Sequence, residues 1–245
     1  VTKMLCEYVR RHDPRGNGAT TIGSNYMPWA GAQHCAQFVE AVGYNYGEKL
    51  YEKHHAEHPD WAIYGSETAS SVFSRGIYRF PMSAPILTDD DQQCSSLGNS
   101  TTSWGTQNMA KMIVDDLNCE YSLGQYIWTG IDYIGEPTPY HTRNSYFGMM
   151  DTAVYPKDCW YLFKSLWTDR PMVHIGVSWD WNPGQTIDVP VMTNGAAVEL
   201  FLNGESMGCR QVDGRDWEKC RPVWQIPYAA GELRAVAYGA DGTIL

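Results

Sequence analysis

The chain has no window of roughly 18 to 20 uninterrupted apolar residues, the length a helix needs to cross a bilayer, and its opening stretch lacks the basic-then-apolar layout of a secretion signal. No membrane association is expected of it. Basic residues are scarce: 18 Lys and Arg stand against 28 Asp and Glu, giving a net charge of -10 with no basic run. A phosphate backbone would be repelled, so nucleic acid is excluded as a partner class. Charged residues of both signs make up only 19%, whereas hydrophobic residues reach 43% and aromatics 13%. That balance excludes general disorder and permits a sizeable core. There is no C-x-x-C pair; the seven cysteines are odd in number and widely spread, which suits neither a zinc knuckle nor a disulfide scaffold and favours a reducing, cytoplasmic setting. A Gly-rich phosphate loop, a G-x-S-x-G elbow and a Cys/His nucleophile pair are also missing, and neither a cofactor nor a metal is expected.

What is present is a rhythm. Within 245 residues, room for one large domain plus a small one or two medium ones, the first half alternates helical and strand-like patterns. Met4, Leu5, Tyr8 and Val9 at helical spacing are stopped by Asp13-Pro14-Arg15-Gly16. Strands are expected at 19–24, 38–46, 61–64 and 124–133, with helices at 29–37, 48–58, 104–117 and 156–168. Strands this apolar argue for parallel pairing under helices. Four strand-helix units are half of an eight-unit barrel, and an open sheet stands equally well on pattern alone. After Asp169-Arg170-Pro171 the rhythm changes to short strands at 173–178, 186–192, 197–202, 223–226 and 233–238, punctuated by turns such as Asn182-Pro183-Gly184 and Asn203-Gly204. This is the pattern of an all-β sandwich. The division is therefore placed at 1–170 and 171–245.

Candidate chemistry centres on Glu67, which directly follows an apolar strand. In parallel α/β folds the carboxyl ends of strands form the rim that carries reacting groups, so a carboxylate there is placed to act as nucleophile or base. A strand-end Glu serving a helix cap or an ion pair is the plainer alternative. Val42-Gly43-Tyr44-Asn45-Tyr46 and Gln125-Tyr126-Ile127-Trp128-Thr129-Gly130-Ile131-Asp132-Tyr133 end two further strands with amide, carboxylate and aromatic groups. Hydrogen-bonding groups beside an indole face suit a sugar ring, with hydroxyl edges and C–H faces. His54-His55-Ala56-Glu57-His58 matches H-x-x-E-H, yet it reads as a solvated helix end stopped by Pro59 rather than a metal site. Asp89-Asp90-Asp91 reads as a solvated acidic turn.

Together, Val42-Gly43-Tyr44-Asn45-Tyr46, Tyr64-Gly65-Ser66-Glu67-Thr68-Ala69-Ser70 and the segment from Trp128 through Glu136-Pro137-Thr138-Pro139-Tyr140 resemble glycoside hydrolase family 2, specifically its bacterial β-galactosidase-like members. Ser145-Tyr146-Phe147-Gly148 and Phe201-Leu202-Asn203-Gly204 extend the resemblance along nearly the whole chain. The resemblance implies the C-terminal half of a TIM barrel followed by an immunoglobulin-like sandwich, incomplete at its C-terminus. It implies retaining hydrolysis of a β-glycoside and no redox cofactor. By position it makes Glu67 the nucleophile at the end of the seventh barrel strand, Tyr46 its hydrogen-bonding and tuning partner, and Trp128 a wall of the sugar site. Asn45 and Asp132 are expected to contact substrate.

The sequence departs from the family in one respect: the expected acid/base, a Glu directly after an Asn, is absent because no Asn-Glu pair occurs in the chain. The expectation is that this motif lies upstream of Val1, that the chain by itself is catalytically incomplete, and that unpaired sheet edges make it poorly soluble or self-associating. β-Glucuronidases of the family carry an Asn-x-Lys pair after the last strand. Asn144-Ser145-Tyr146-Phe147 offers no lysine there, so a charge-neutral β-galactoside is the expected substrate. The parent protein is left open as a homo-oligomer.

Overall fold

The computed structural model describes residues 1–88, 94–102, 105, 106 and 108–245. Asp89-Asp90-Asp91 and the start of the helix expected from Trp104 lie outside the described residues. The chain packs as two compact units: Val1–Ala69 with Asp115–Trp128, and Ser70–Val114 with Thr129–Leu245. Among the described residues no helix is long and apolar enough to cross a membrane.

The first unit runs α1 (Thr2–His12), β1 (Thr21–Ser24), α2 (Ala30–Ala36), β2 (Ala41–Asn45), a single 3₁₀ turn at Glu48–Leu50, α3 (Tyr51–Glu57) and β3 (Ala62–Ala69). After α4 (Met109–Leu117), whose last residues belong to this unit, comes β4 (Ser122–Trp128). The four strands form one sheet in the order β1-β2-β3-β4, every pair parallel. Its helix-covered face is the core: Val42, Tyr44 and Ile63 pack with Met27, Ala36, Tyr51 and Trp61. Sealing a side chain such as Val42, Ile63 or Met27 from water contributes about 1.5–3 kcal/mol. The opposite face is polar and open, carrying exposed Thr21 and a 70% exposed Tyr126.

The helix read from Met4, Leu5, Tyr8 and Val9 forms as α1 and ends at Asp13, with those four side chains 48–60% exposed. One expectation is corrected here. The H-x-x-E-H stretch is not solvated on every side. His54 is buried and its Nδ1 lies 2.9 Å from the Tyr44 hydroxyl, so burial pulls its pKa below the ordinary histidine value. His55 stacks on Tyr121 and His58 on Trp61, each at 3.8 Å between ring centres, and the described residues contain no cluster of metal-ligating side chains.

The second unit contains an irregular stretch stitched by a two-residue parallel ladder of Ile86–Leu87 with Ser100–Thr101, an antiparallel ladder of Tyr133–Ile134 with Asn144–Ser145, and α5 (Asp158–Trp167). Six strands follow: β5 (Val173–Ile175), β6 (Thr186–Thr193), β7 (Ala197–Leu202), β8 (Glu205–Gln211), β9 (Val223–Pro227) and β10 (Leu233–Tyr238). They pair antiparallel as β9-β6-β5 and β8-β7-β10. Alternate residues Ile187, Val189 and Val191 of β6 share one cluster with Val198 and Leu200 of β7 and with Trp224. β8 went unread in the sequence because its residues are mostly exposed and Gly208 interrupts its alternation. The turn into it is legible: Asn203 and Gly204 both take positive φ (53° and 85°), as a two-residue hairpin loop requires.

Packing groups the segments differently from a cut at residue 171. The other face of β6 is also buried, since Asp188 accepts the Met82 N–H and the Gln225 amide, while α5 lies against the same strand. Asp158 at the start of α5 receives Ser96, Tyr78 (3.2 Å) and His174 (2.8 Å). These contacts join the irregular 70–102 stretch and α5 to the sandwich strands within one unit.

Candidate active site

The site is built on the carboxyl ends of the parallel strands, and a bulge in β3 decides what it presents. Tyr44 of β2 pairs with Gly65 but Asn45 pairs with Glu67, so Ser66 is the extra residue; β4 records the same slip, pairing Gly65 with Gln125 and Thr68 with Ile127. Without it, strict alternation would put Glu67 on the helix-covered face with Ile63 and Gly65. The bulge instead carries Glu67 to the open face beside Asn45, which is how bulges commonly re-aim a functional side chain. Thr68 takes the covered face, where its hydroxyl donates to Gln125 Oε1 at 2.8 Å, and the Gln125 amide reaches Asp116 at 3.2 Å. Burial holds the Asp116 carboxyl above the usual carboxylate range. Ser66 fits only because β2 has glycine beside it: a Cβ at Gly43 would lie 2.4 Å from the Ile22 carbonyl and 2.6 Å from Ser66 Cβ.

On that face Tyr46 donates its phenol hydrogen to Glu67 Oε1, and the Tyr46 backbone N–H donates to the Glu67 carbonyl at 2.9 Å. The side chain and backbone contacts together fix the rotamer of the carboxylate. Asn45 is held by Ser66, whose hydroxyl donates to Asn45 Oδ1 at 2.7 Å. Ala69 pairs with Trp128, which places the indole on the same face as Glu67, two residues further along. Left-handed backbone brackets the carboxylate: Tyr46 at φ 54°, Ala69 at φ 69° and Ser70 at φ 50°, none of them glycine. Such conformations cost of order 1–3 kcal/mol each and cluster where function holds the backbone in place.

The structure thus brings together Asn45, Tyr46, Glu67 and Trp128, all in the first unit. Asp132 lies in the second unit and is 5% exposed. Its Oδ1 accepts Lys157 Nζ at 2.7 Å and the Gly148 N–H at 2.8 Å, so it acts as an internal anchor of the 129–150 segment. Lys157 is 1% exposed and also donates to the carbonyls of Phe73 (2.7 Å) and Tyr146 (3.4 Å). Sequence reasoning missed this lysine; the one signal was a cation standing directly before the apolar helix α5. It also missed Tyr26 and Trp29, which stack at 4.6 Å and remain 57% and 64% exposed just past the end of β1. β1 pairs Ser24 with Tyr44, and Tyr26 and Trp29 follow in the turn that leaves the strand.

A parallel sheet whose rim holds a tyrosine-clamped carboxylate beside an indole defines an α/β protein with a prepared acidic site. The chain is 34% identical over 97% of its length to the Beta-galactosidase BoGH2A of Bacteroides ovatus, covering 29% of that protein. Its fold matches a beta-glycosidase from Bacteroides vulgatus with a TM-score of 0.79 and 25% identity, over 99% of this chain and 33% of the other. A Bacteroides uniformis beta-glucuronidase shares the fold at TM-score 0.70 and 19% identity, over 100% of this chain and 29% of the other. Residues 184–245 match the family described as a domain of unknown function, DUF4982. Over nearly its whole length the chain is similar to these glycosidases, which include a solved glycosyl hydrolase family 2 member from Bacteroides cellulosilyticus sharing its fold, and it spans about a third or less of their length.

Proposed function

We propose that the chain is the C-terminal half of a (β/α)₈ barrel, with an immunoglobulin-like sandwich after it, from a retaining β-glycosidase that removes terminal β-galactosyl groups. The sheet order supports the barrel. Strands added one after another in a single direction wind a barrel wall, whereas a doubly wound open sheet reverses its order at a switch point. The observation that carries the chemistry is the Tyr46 hydroxyl on Glu67 Oε1, on the rim face that also holds Trp128.

In this reading a Glu67 oxygen attacks the anomeric carbon and the C1–O bond to the leaving group breaks as the glycosyl ester forms. A second carboxyl, about 5–5.5 Å away in retaining enzymes, gives its proton to the departing oxygen and then takes one from the water that cleaves the ester. That acid is assigned to a part of the protein outside this chain, which has no Asn-Glu pair. Tyr46 keeps Glu67 aimed, Asn45 offers its amide to a sugar hydroxyl, and Trp128 takes the C–H face of the ring. β-Galactoside is favoured over β-glucuronide because Asn144 is followed by Ser145 and Tyr146 without a lysine to meet a sugar carboxylate. The test is peptide mass spectrometry of the full-length protein after incubation with 2-deoxy-2-fluoro-β-galactosyl fluoride. A galactosyl label on Glu67 is expected; a label on another carboxylate removes Glu67 from its role, and labelling only by the glucuronyl analogue reassigns the sugar.

A further inference from the structure

The second unit encloses a cavity of about 810 Å³ between the irregular 73–101 stretch, α5 and the sandwich strands β6, β8 and β9. Its size lies within the range of small-molecule sites, roughly 300–1,000 Å³. None of its wall residues belongs to the rim that carries Glu67. Two cations, Arg210 and Arg221, face it against a single carboxylate, Asp188. Asp188 is fully engaged by the Met82 N–H and by the Gln225 amide at 2.7 Å. Arg210 is committed to the face of Trp224, 4.9 Å from its ring centre.

Arg221 is the unbalanced group. Its guanidinium makes one long hydrogen bond, Nη1 to the Leu97 carbonyl at 3.4 Å, and pairs with no described carboxylate. Burial pulls its pKa below the ordinary guanidinium value, but an arginine stays charged in proteins. Asp158, the described carboxylate whose field reaches it, already receives Ser96, Tyr78 and His174. A cation so placed retains a fork of unused donors matched to a planar oxyanion. The same cavity is lined by the partly exposed indole of Trp217 and the amides of Asn108 and Gln225, which suit a sugar ring.

We propose that this cavity is a second binding site, separate from the Glu67 rim, for an acidic saccharide whose carboxylate or sulfate group pairs with Arg221 while its ring lies on Trp217. An anion there would balance the half-buried guanidinium. The site would hold acidic sugar without cleaving it.

The test is calorimetric titration of the full-length protein with galacturonate, galactose 6-sulfate, neutral galactose and inorganic sulfate, beside thermal melts. The two acidic sugars are expected to bind and to raise the melting temperature, at least tenfold more tightly than galactose. Sulfate alone binding as well as galactose 6-sulfate would reduce the site to a bare anion pocket and overturn the saccharide reading. Arg221→Gln is expected to weaken acidic-sugar binding by tenfold or more while Arg221→Lys keeps part of it, as charge-assisted bonds of this kind are worth about 1.5–3 kcal/mol, or 10- to 150-fold. If Arg221→Gln melts without cooperativity, Trp217→Ala serves in its place, with the same direction expected. Acidic sugars binding no better than galactose, or an Arg221→Gln protein binding like the wild type, would overturn the proposal.

Discussion

Lys157→Met is the sharpest perturbation the structure offers. It removes the cation that joins Asp132 Oδ1 (2.7 Å), the Phe73 carbonyl (2.7 Å) and the Tyr146 carbonyl (3.4 Å), at a site where the two charged side chains are 0% and 2% exposed. Among the described residues Asp132 then keeps only the Gly148 N–H. Removing one partner of a buried pair typically costs about 3–5 kcal/mol, because the remaining charge is left without compensation. The cost should be read locally, since the pair anchors a ladder in which the amides of Thr129, Asp132, Met149 and Met150 are all bonded within 129–150. Amide hydrogen exchange of that segment is expected to accelerate by roughly 140- to 3,700-fold, the same free energy at 1.4 kcal/mol per decade. The loss should also depend on pH. Burial holds the Asp132 carboxyl above the usual range, and Lys157 is the opposing pull. Without that pull the folded-state pKa rises further, so the penalty is present above the unfolded carboxylate value of about 3.9 and is relieved as the pH falls and Asp132 takes a proton. The variant should therefore lag the wild type less at pH 5 than at pH 8. Adding Asp132→Asn to the same protein should cost less than the two single changes summed, by about 2 kcal/mol. An exchange rate within fivefold of wild type, or strict additivity, would refute the argument.

Two further outcomes follow from the first unit. Tyr46→Phe removes the hydroxyl that donates to Glu67 and is expected to lower kcat/KM about 10- to 100-fold in the full-length protein, the worth of a hydrogen bond to a charged group; an unchanged kcat/KM would detach Tyr46 from the chemistry proposed for Glu67. Glu40 is held at a pKa of about 2, first by the Thr20 hydroxyl and then by Arg10, so its contribution to stability is complete above about 4.5 and is lost as the pH falls toward 2; Glu40→Gln should lower the stability of this unit at pH 7 and flatten its acid unfolding between about pH 4.5 and 2, and a variant as stable as the wild type at pH 7 would refute this.

Much of the fold was legible because it rests on local patterns. The strand at 197–202 and that at 233–238 coincide with β7 and β10, where apolar alternation is flanked by turn residues. The β-α-β rhythm of the first half gave four parallel strands in order, with ends shifted by a few residues. Where several elements compete for one surface, pattern failed. The single strand expected over 124–133 stops at Trp128, and Tyr133–Ile134 pairs instead with Asn144–Ser145. His54 looked solvated because its neighbours in sequence are polar, yet Tyr44 and Trp61 close over it from elsewhere in the unit.

The sequence by itself determined the chemistry available: which carboxylate, tyrosine and indole stand at strand ends. Tertiary structure alone decided where those groups point. Glu67 reaches the open face only because Ser66 is extruded as a bulge over Gly43, a register slip that requires two neighbouring strands to define. Asp132 and Lys157, 25 residues apart, became one buried pair only when the 129–150 segment folded back on itself. Side-chain identity is a local property, whereas facing and pairing are set by which backbones lie alongside, and that is fixed only when the chain packs.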